Sequence, residues 1–254
     1  MSVKFQFYRA AAKTSFVATP IMFVQAMRLR RSIPRLPEAA GPRRGSVLGI
    51  GNPVRLLFFG ESTAAGVGTE WMEDSIGGQW ARRLNKLTGR TVEWTVIGRN
   101  GATAETALRN LVPQLRGLQV DVVGTALGGN DIMQLNSAKG WERDLGLVLD
   151  GMRDAIGDDV PIIWSGMPPI GQFPALPLPL RGMLGFRGKM LNLVTQRVVS
   201  QRDNLYMLND IISDDPAIYS SDDFHPGTLG YKLWGEALAE LTVSAELLPQ
   251  SEIM

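Results

Sequence analysis

Short apolar segments alternate along the chain with longer segments in which apolar residues recur at helical spacing. The apolar segments predict five strands, at Val54–Phe59, Val92–Ile97, Val120–Leu127, Val160–Gly166 and Leu205–Leu208. The helical segments lie between and after them, at Gln79–Leu87, Ala104–Leu115, Trp141–Ile156, residues 183–200 and Thr228–Leu247. Because the strands are apolar throughout and are separated by helices, they indicate a parallel sheet with helices on both faces. We therefore expect a doubly wound α/β fold whose sheet has about five parallel strands.

The first 45 residues differ from the rest of the chain in charge. They carry nine Lys and Arg residues against Glu38 alone, whereas the remainder carries 17 basic and 24 acidic residues. A basic segment on an acidic body indicates an anionic partner, either membrane lipid or nucleic acid. Residues 34–53 are rich in proline and glycine and predict a linker. We therefore divide the chain into an arm with its linker, residues 1–45, and a main domain, residues 46–254.

The arm contains an apolar run, Phe16–Met27, that favours lipid as its partner. The run is shorter than the roughly 20 residues of a membrane-spanning helix, and Pro20 interrupts it. Arginines follow where a secretory signal needs a small-residue cleavage site. We expect an amphipathic helix on an anionic membrane surface, at the cytoplasmic, inner face of the cell membrane. The alternatives are a helix packed on the main domain and an exported protein. Without interleaved aromatic and basic residues, we expect no nucleic-acid partner.

The composition excludes several kinds of site. With 44% hydrophobic and 20% charged residues, the chain resembles an ordinary globular protein with a sizeable core. It has no cysteine and one histidine, which excludes disulfides, cysteine nucleophiles and thiolate or histidine-rich metal sites. If the protein uses a histidine base, that base is His225.

His225 has an acidic neighbour and a candidate nucleophile. Asp222 lies three residues earlier and can hydrogen-bond to one ring nitrogen, which leaves the other for a nucleophile. Ser62 follows the first predicted strand among small residues. Ala64 excludes the G-x-S-x-G elbow of α/β-hydrolases, and the segment matches neither a P-loop nor a dinucleotide-binding loop. The alternatives are a capping or core histidine and a tight glycine-rich turn.

Two further loops supply hydrogen-bond donors at the carboxyl ends of strands, where parallel α/β sheets place their sites. Gly101 offers an unhindered backbone N–H. Asn130 offers a side-chain amide that remains a donor at any pH. Together with the backbone N–H of Ser62, these groups form three donors for one developing oxyanion. The pattern indicates acyl transfer through a serine.

Four short motifs in this order resemble the blocks of the SGNH (GDSL) hydrolase family over roughly residues 54–245. They are Gly60-x-Ser62, Gly101, Gly128-x-Asn130 and Asp222-x-x-His225. The resemblance implies a flavodoxin-like three-layer fold and makes residues 46–254 the catalytic domain. It implies Ser62 as nucleophile, His225 as base and Asp222 as the acid that orients it. It also implies an oxyanion hole formed by Ser62, Gly101 and Asn130, with neither metal nor cofactor.

One residue departs from the family pattern. Glu61 stands where the family usually has an aspartate before the serine. The position is not part of the triad, so we expect altered local hydrogen bonding with activity retained.

The loop after the fourth predicted strand, Met167–Leu180, carries no charge and is stiffened by prolines. Such a loop at the strand ends can form a wall or lid for an apolar acyl chain; the alternative is ordinary packing against the closing helix. We expect five apolar side chains to contact the substrate, at Ile132, Met133, Ile170, Phe173 and Leu176. The chain is also similar to the family subgroup linked to long-chain acyl esters and lysophospholipids.

We therefore expect a serine esterase or lipase that acts on carboxylic, lipid-like esters through an acyl-enzyme, with a lysophospholipase or a thioesterase as forms of the same activity. An acyltransferase or a carbohydrate O-acetyl esterase can use the same triad. Exposed aromatic platforms favour the carbohydrate alternative, and the candidates for such a platform are Trp71, Trp80 and Trp141. A non-catalytic binding module requires a broken triad, but all the motif positions are present.

Overall fold

The computed structural model describes residues 20–29, 31, 34–208 and 215–249. Its centre is a six-stranded sheet, formed by β1 (Arg44–Val47), β2 (Ile50–Gly60), β3 (Arg90–Gly98), β4 (Val122–Ala126), β5 (Ile162–Ser165) and β6 (Leu205–Leu208). The strands lie in the order β1-β3-β2-β4-β5-β6. Strands β2 to β6 are parallel, whereas β1 is antiparallel to β3. The five parallel strands confirm the predicted fold class, and β1 is an additional edge strand.

Strand β1 lies within the segment that its composition predicts to be a linker. Arg44 pairs with Thr95 and Val47 with Val92 along the edge of β3. Pairing at an edge uses backbone N–H and C=O groups, so it needs no apolar side-chain pattern and the sequence gives little sign of it. Strand β2 also begins earlier than predicted, at Ile50. The predicted boundary between residues 45 and 46 therefore falls inside β1.

Helices cover both faces of the sheet because successive side chains of a strand point to opposite faces. On β2, Leu57 and Phe59 pack in one buried cluster, whereas Leu56 and Phe58 pack in the other. The helix bounds are α1 (residues 20–29), α2 (Ile76–Thr88), α3 (Ala104–Asn110), α4 (Gly129–Met133), α5 (Ala138–Ile156), α6 (Leu180–Ser200) and α7 (Thr228–Ser244). The first cluster includes side chains of α3, α5 and α6, and the second includes side chains of α2 and α7.

Helix α1 lies within the N-terminal arm. Leu29 is buried in the first cluster. Gln25 bonds to the loop before α6 and to the first residue of that helix: its Nε2 donates to Leu178 O at 2.6 Å, and its Oε1 accepts from Leu180 N at 3.2 Å. Helix α1 is therefore docked against the loop that follows Phe173. The predicted apolar run begins at Phe16, and its first four residues lie outside the described residues, as do the other arm residues before 20.

Candidate active site

The candidate nucleophile lies in a tight turn at the carboxyl end of β2. A Cβ atom at Gly60 would lie 2.0 Å from Ala126 O, so this position requires glycine for β2 to reach β4 so closely. After it the chain closes a helical turn, in which Ala65 N donates to Glu61 O and Val67 N donates to Ser62 O, both at 3.0 Å. Ser62 is 8% exposed and lies on the wall of a cavity. The turn therefore presents the Ser62 hydroxyl at the strand end.

The loop before α7 brings the histidine and an aspartate to this serine. Asp222 Oδ2 lies 2.6 Å from His225 Nδ1, and His225 Nε2 lies 3.1 Å from Ser62 Oγ. The other carboxylate oxygen, Asp222 Oδ1, accepts from Ser220 Oγ at 2.7 Å and from the backbone N–H groups of Phe224 and His225 at 3.0 and 2.9 Å. The three predicted triad residues thus form one continuous hydrogen-bonded chain.

The surroundings of Asp222 keep it ionised. Burial alone would raise the pKa of this carboxyl group, but hydrogen bonds from the ring and backbone N–H of His225 and from Ser220 outweigh it and lower the pKa well below its ordinary value. An ionised carboxylate only accepts hydrogen bonds. It therefore selects the tautomer with a proton on Nδ1 of His225 and leaves the Nε2 lone pair facing Ser62 Oγ.

The three predicted oxyanion donors lie in adjoining loops but differ in their hydrogen bonds. Among the residues described, no acceptor bonds to the backbone N–H of Ser62 or of Gly101. Gly101 has a positive φ of 80°, which suits glycine. Asn130 Nδ2, in contrast, donates to Glu61 Oε2 at 2.6 Å and to Ala102 O at 3.1 Å. Two donors are therefore open, whereas the third already has two acceptors within the protein.

Glu61 is the buried carboxylate beside this amide. It accepts three hydrogen bonds: from Gly129 N at 2.9 Å, from Asn130 N at 3.0 Å and from Asn130 Nδ2 at 2.6 Å. Burial raises its pKa to about 7, an effect that these bonds oppose and that the nearby charge of Asp131 strengthens. The expectation of altered local bonding at this position rested on residue type; the contact with Asn130 was not predicted.

A largely apolar cavity of about 630 Å³ opens beside Ser62 and His225. Of the predicted substrate contacts, Met133, Ile170 and Phe173 lie on its wall. The structure places Ile132 and Leu176 in the core instead of on the cavity wall. Successive residues of a helix point about 100° apart, so on α4 Met133 faces the cavity while Ile132 packs toward α6.

Helix α7 and the loop before it contribute cavity residues that the sequence pattern did not predict. Leu233 and Trp234 of α7 lie on the wall, as do Tyr219 and Phe224. The ring centroid of Phe173 lies 5.6 Å from that of Tyr219 and 5.0 Å from that of Phe224. The Met167–Leu180 loop therefore packs directly against the histidine loop. The amphipathic pattern of the closing helix predicted its existence but not which residues face the cavity.

The remaining candidate features do not join this site. Trp80 and Trp141 are fully buried, and the half-exposed Trp71 lies on a different cavity, with Arg44 and Trp94. In the described portion of the chain, no three histidine, aspartate or glutamate side chains are grouped in a way that could hold a metal ion.

The chain is similar in sequence to known proteins. Residues 58–233 match the model of the GDSL-like lipase/acylhydrolase family. Over 248 residues the chain is 25% identical to the GDSL-like esterase Rv1075c of Mycobacterium tuberculosis, covering 90% of this chain and 78% of that protein.

Solved structures share the fold. A family 3 carbohydrate esterase of Clostridium thermocellum matches with a TM-score of 0.61 and 19% identity, covering 76% of this chain and 97% of that one. A lipase/acylhydrolase of Enterococcus faecalis matches with a TM-score of 0.57 and 21% identity, covering 76% of this chain and 96% of that one. Since the family match spans more than half of the sequence, the chain belongs to the GDSL-like lipase/acylhydrolase family and is a hydrolase that acts on ester bonds.

Proposed function

We propose that this protein is a serine esterase that hydrolyses carboxylic esters with an apolar acyl group, with Ser62, His225 and Asp222 as its catalytic triad. The observation that carries the proposal is the hydrogen-bonded chain from Asp222 through His225 to Ser62, which ends at an apolar cavity of about 630 Å³. The cavity falls within the roughly 300–1,000 Å³ of sites that enclose small organic ligands.

The geometry supports a two-step reaction. His225 Nε2 takes the proton of Ser62 Oγ as this oxygen bonds to the ester carbonyl carbon. The carbonyl oxygen becomes negative and accepts hydrogen bonds from Ser62 N, Gly101 N and the Asn130 amide. The bond from carbon to the alkoxy oxygen then breaks, and the alcohol leaves with the proton held by His225. Water, deprotonated by the same nitrogen, attacks the acyl-enzyme and releases the acid and Ser62.

The composition of the cavity wall supports an apolar acyl group. Met133, Ile170, Phe173 and Leu233 line it together with Trp234. Trp71, Trp80 and Trp141, the candidates for a sugar platform, are absent from this wall as the structure describes it. Trp234 does lie on the wall, but it stands among apolar side chains, so we favour a lipid-like ester over an acetylated carbohydrate.

We also propose that the arm, residues 1–45, binds an anionic membrane surface at the inner face of the cell membrane. Four large apolar side chains of α1 are exposed, those of Ile21, Phe23, Val24 and Met27. Exposed arginines, Arg28 and Arg31, follow them, as in amphipathic helices that lie in the headgroup region. In the part of the chain that the structure describes, no helix combines the length and the apolar character needed to cross a membrane.

The substrate proposal is tested by hydrolysis of p-nitrophenyl esters from acetyl to palmitoyl. We expect the wild type to be most active on medium or long chains, and Ser62→Ala to lose this activity. Ser200→Ala, at an exposed position at the end of α6, controls for the substitution itself. A maximum at acetyl contradicts the apolar acyl preference, and activity in Ser62→Ala contradicts the assigned nucleophile.

The membrane proposal is tested by flotation with vesicles of phosphatidylglycerol or of phosphatidylcholine. We expect binding to the anionic vesicles, and its loss in Phe23→Asp. The matched control is Leu147→Asp, which introduces the same charge at an exposed leucine of α5. Equal binding by Phe23→Asp and the wild type contradicts the proposed surface.

A further inference from the structure

The carboxylate of Glu61 lies at the centre of the loop that carries Asn130. Both of its oxygens are used: Oε1 accepts from Gly129 N, whereas Oε2 accepts from the backbone and side-chain N–H groups of Asn130. Glu61 immediately precedes Ser62, so one residue links the turn of the candidate nucleophile to the loop of a candidate oxyanion donor. The catalytic steps above make no use of this carboxylate.

The loop is shaped around this carboxylate. A Cβ atom at Gly129 would lie 2.7 Å from Glu61 Oε1, closer than such contacts occur. The preceding Gly128 has a positive φ of 123°, a backbone conformation that residues other than glycine rarely adopt. Both glycines therefore let the backbone N–H groups at the start of α4 converge on Glu61.

The chemistry of the two side chains decides which way the Asn130 amide faces. The amide has a donor nitrogen on one side and an acceptor oxygen on the other. Above its pKa of about 7 the Glu61 carboxylate is ionised and only accepts hydrogen bonds, so it binds the amide nitrogen and disfavours the flipped orientation. The charge-assisted bond to Glu61 is the shorter at 2.6 Å, whereas the bond to the neutral Ala102 O is 3.1 Å. The second N–H is therefore the one more easily transferred to a new acceptor.

We propose that Glu61 is a positioning residue: it holds the Asn130 amide in its donor orientation through one N–H, so that the second N–H, which bonds to Ala102 O, can transfer to the oxyanion. One N–H stays on Glu61 while the other turns from Ala102 O to the negative oxygen of the substrate. A flipped amide would present its oxygen to this charge instead. This role rests on the proposed esterase function. It adds the group that determines the orientation of the third oxyanion donor, the Asn130 amide.

A double-mutant cycle tests this role, with kcat and KM measured on the best p-nitrophenyl ester at a pH above the Glu61 pKa of about 7. Glu61→Gln replaces one acceptor oxygen by an amide nitrogen that faces other donors. We expect it to lower kcat by about 10²-fold, the effect of losing one oxyanion donor, with KM within about twofold of the wild type. Asn130→Ala should lose a similar amount, and the double variant should be no slower than Asn130→Ala alone. Glu105→Gln, on the exposed face of α3, is the matched control.

Three outcomes overturn the role of Glu61. The first is an unchanged kcat in Glu61→Gln. The second is multiplicative losses in the double variant, which mean that Glu61 does not act through Asn130. The third concerns Glu61→Asp, which keeps an acceptor-only carboxylate and should be at least about tenfold faster than Glu61→Gln. An aspartate variant as slow as the glutamine variant overturns the role, even if the glutamine variant folds poorly. Activity in Ser62→Ala instead contradicts the esterase mechanism itself, so the two failures are distinguishable.

Discussion

Carboxylates hold backbone N–H groups on both sides of the candidate oxyanion hole, but in different surroundings. On the Asn130 side, Glu61 is buried and accepts three hydrogen bonds. On the Gly101 side, Glu38 accepts from Asn100 N at 2.8 Å and pairs with Arg43, whose Nη1 donates to Gly98 O. The side chain of Arg43 is 39% exposed and that of Glu38 is 35% exposed. Water therefore screens the second arrangement but not the first.

The difference separates two ways of positioning a loop. Removing one partner of a buried charge leaves the others unpaired in a medium that does not solvate them, whereas an exposed pair exchanges its bonds for bonds to water. Glu61 belongs to the family-matched region, whereas Glu38 and Arg43 precede residue 58, where that match begins. We therefore expect substitutions at buried carboxylates to act on turnover strongly, and those at the exposed pair to act weakly.

The largest effect should come from Asp222, a buried carboxylate that contacts His225. Asp222→Asn keeps the size of the side chain but offers a donor where His225 needs an acceptor, so the wrong tautomer is favoured. We expect kcat on the best p-nitrophenyl ester to fall by about 10⁴-fold. The adjacent Asp223→Asn is the matched control, because Asp223 has a positive φ of 55° that asparagine also tolerates. A loss below tenfold in Asp222→Asn contradicts its assignment to the triad.

A smaller loss should follow when the loop is pushed away from Glu61. The methyl group of Gly129→Ala must displace either the carboxylate or the start of α4. We expect kcat to fall by about tenfold, less than the loss of a whole oxyanion donor, while KM changes little. Gly182→Ala is the control, since its added Cβ meets no atom closer than 3.9 Å. An unchanged kcat in Gly129→Ala would mean that the loop tolerates displacement. The contrast between the buried Glu61 and the exposed Glu38 would then carry less weight.

The burial of Glu61 also predicts how stability depends on pH. Its pKa of about 7 in the fold lies above the ordinary value of 4.5. Between pH 4.5 and about 7, Glu61 therefore keeps its proton in the folded protein and loses it in the unfolded chain. The contribution of this group to stability is full below about 4.5 and is lost as pH rises through about 7.

Glutamine at position 61 cannot titrate, so it isolates this contribution. The Tm of the wild type minus that of Glu61→Gln should fall between pH 4.5 and 7 and stay constant above about 7.5. Titrating groups that do not interact with Glu61 are present in both proteins, and their effects cancel in the difference; the charge of nearby Asp131 acts on Glu61 and is part of the measured contribution. Thermal unfolding measures this difference. If it is constant from pH 4.5 to 8, the fold does not raise the pKa of Glu61.

The sequence predicted features that depend on residue type and chain order, and missed those that depend on contacts across the fold. Ser62, Asp222 and His225 stand in recognisable local patterns, and the structure places them in one hydrogen-bonded chain. The bond from Glu61 to Asn130 joins positions 69 residues apart, and it depends on how the end of β2 faces the loop after β4. No local periodicity encodes that distance.

The cavity wall shows the same limit. An apolar loop predicts a wall, but the face on which each side chain lies depends on the turn of a short helix, as for Ile132 and Met133 on α4. Trp234 could have been placed only by knowing that the first turns of α7 pass beside Ser62. The edge strand β1 was missed because backbone pairing leaves no apolar pattern.

The smallest effect should come from the exposed ion pair of Glu38 and Arg43. Glu38→Gln keeps a carbonyl oxygen for Asn100 N and removes only the charge paired with Arg43. We expect kcat to change by less than about threefold and the free energy of unfolding by at most about 1 kcal/mol, as for exposed ion pairs. Arg43→Gln should behave alike, with thermal unfolding and p-nitrophenyl ester turnover as the measurements. A tenfold loss of kcat in Glu38→Gln would mean that the segment before the family match positions the Gly101 loop as strongly as Glu61 positions Asn130. The N-terminal segment would then belong to the catalytic machinery, and burial would not be what distinguishes the two sides.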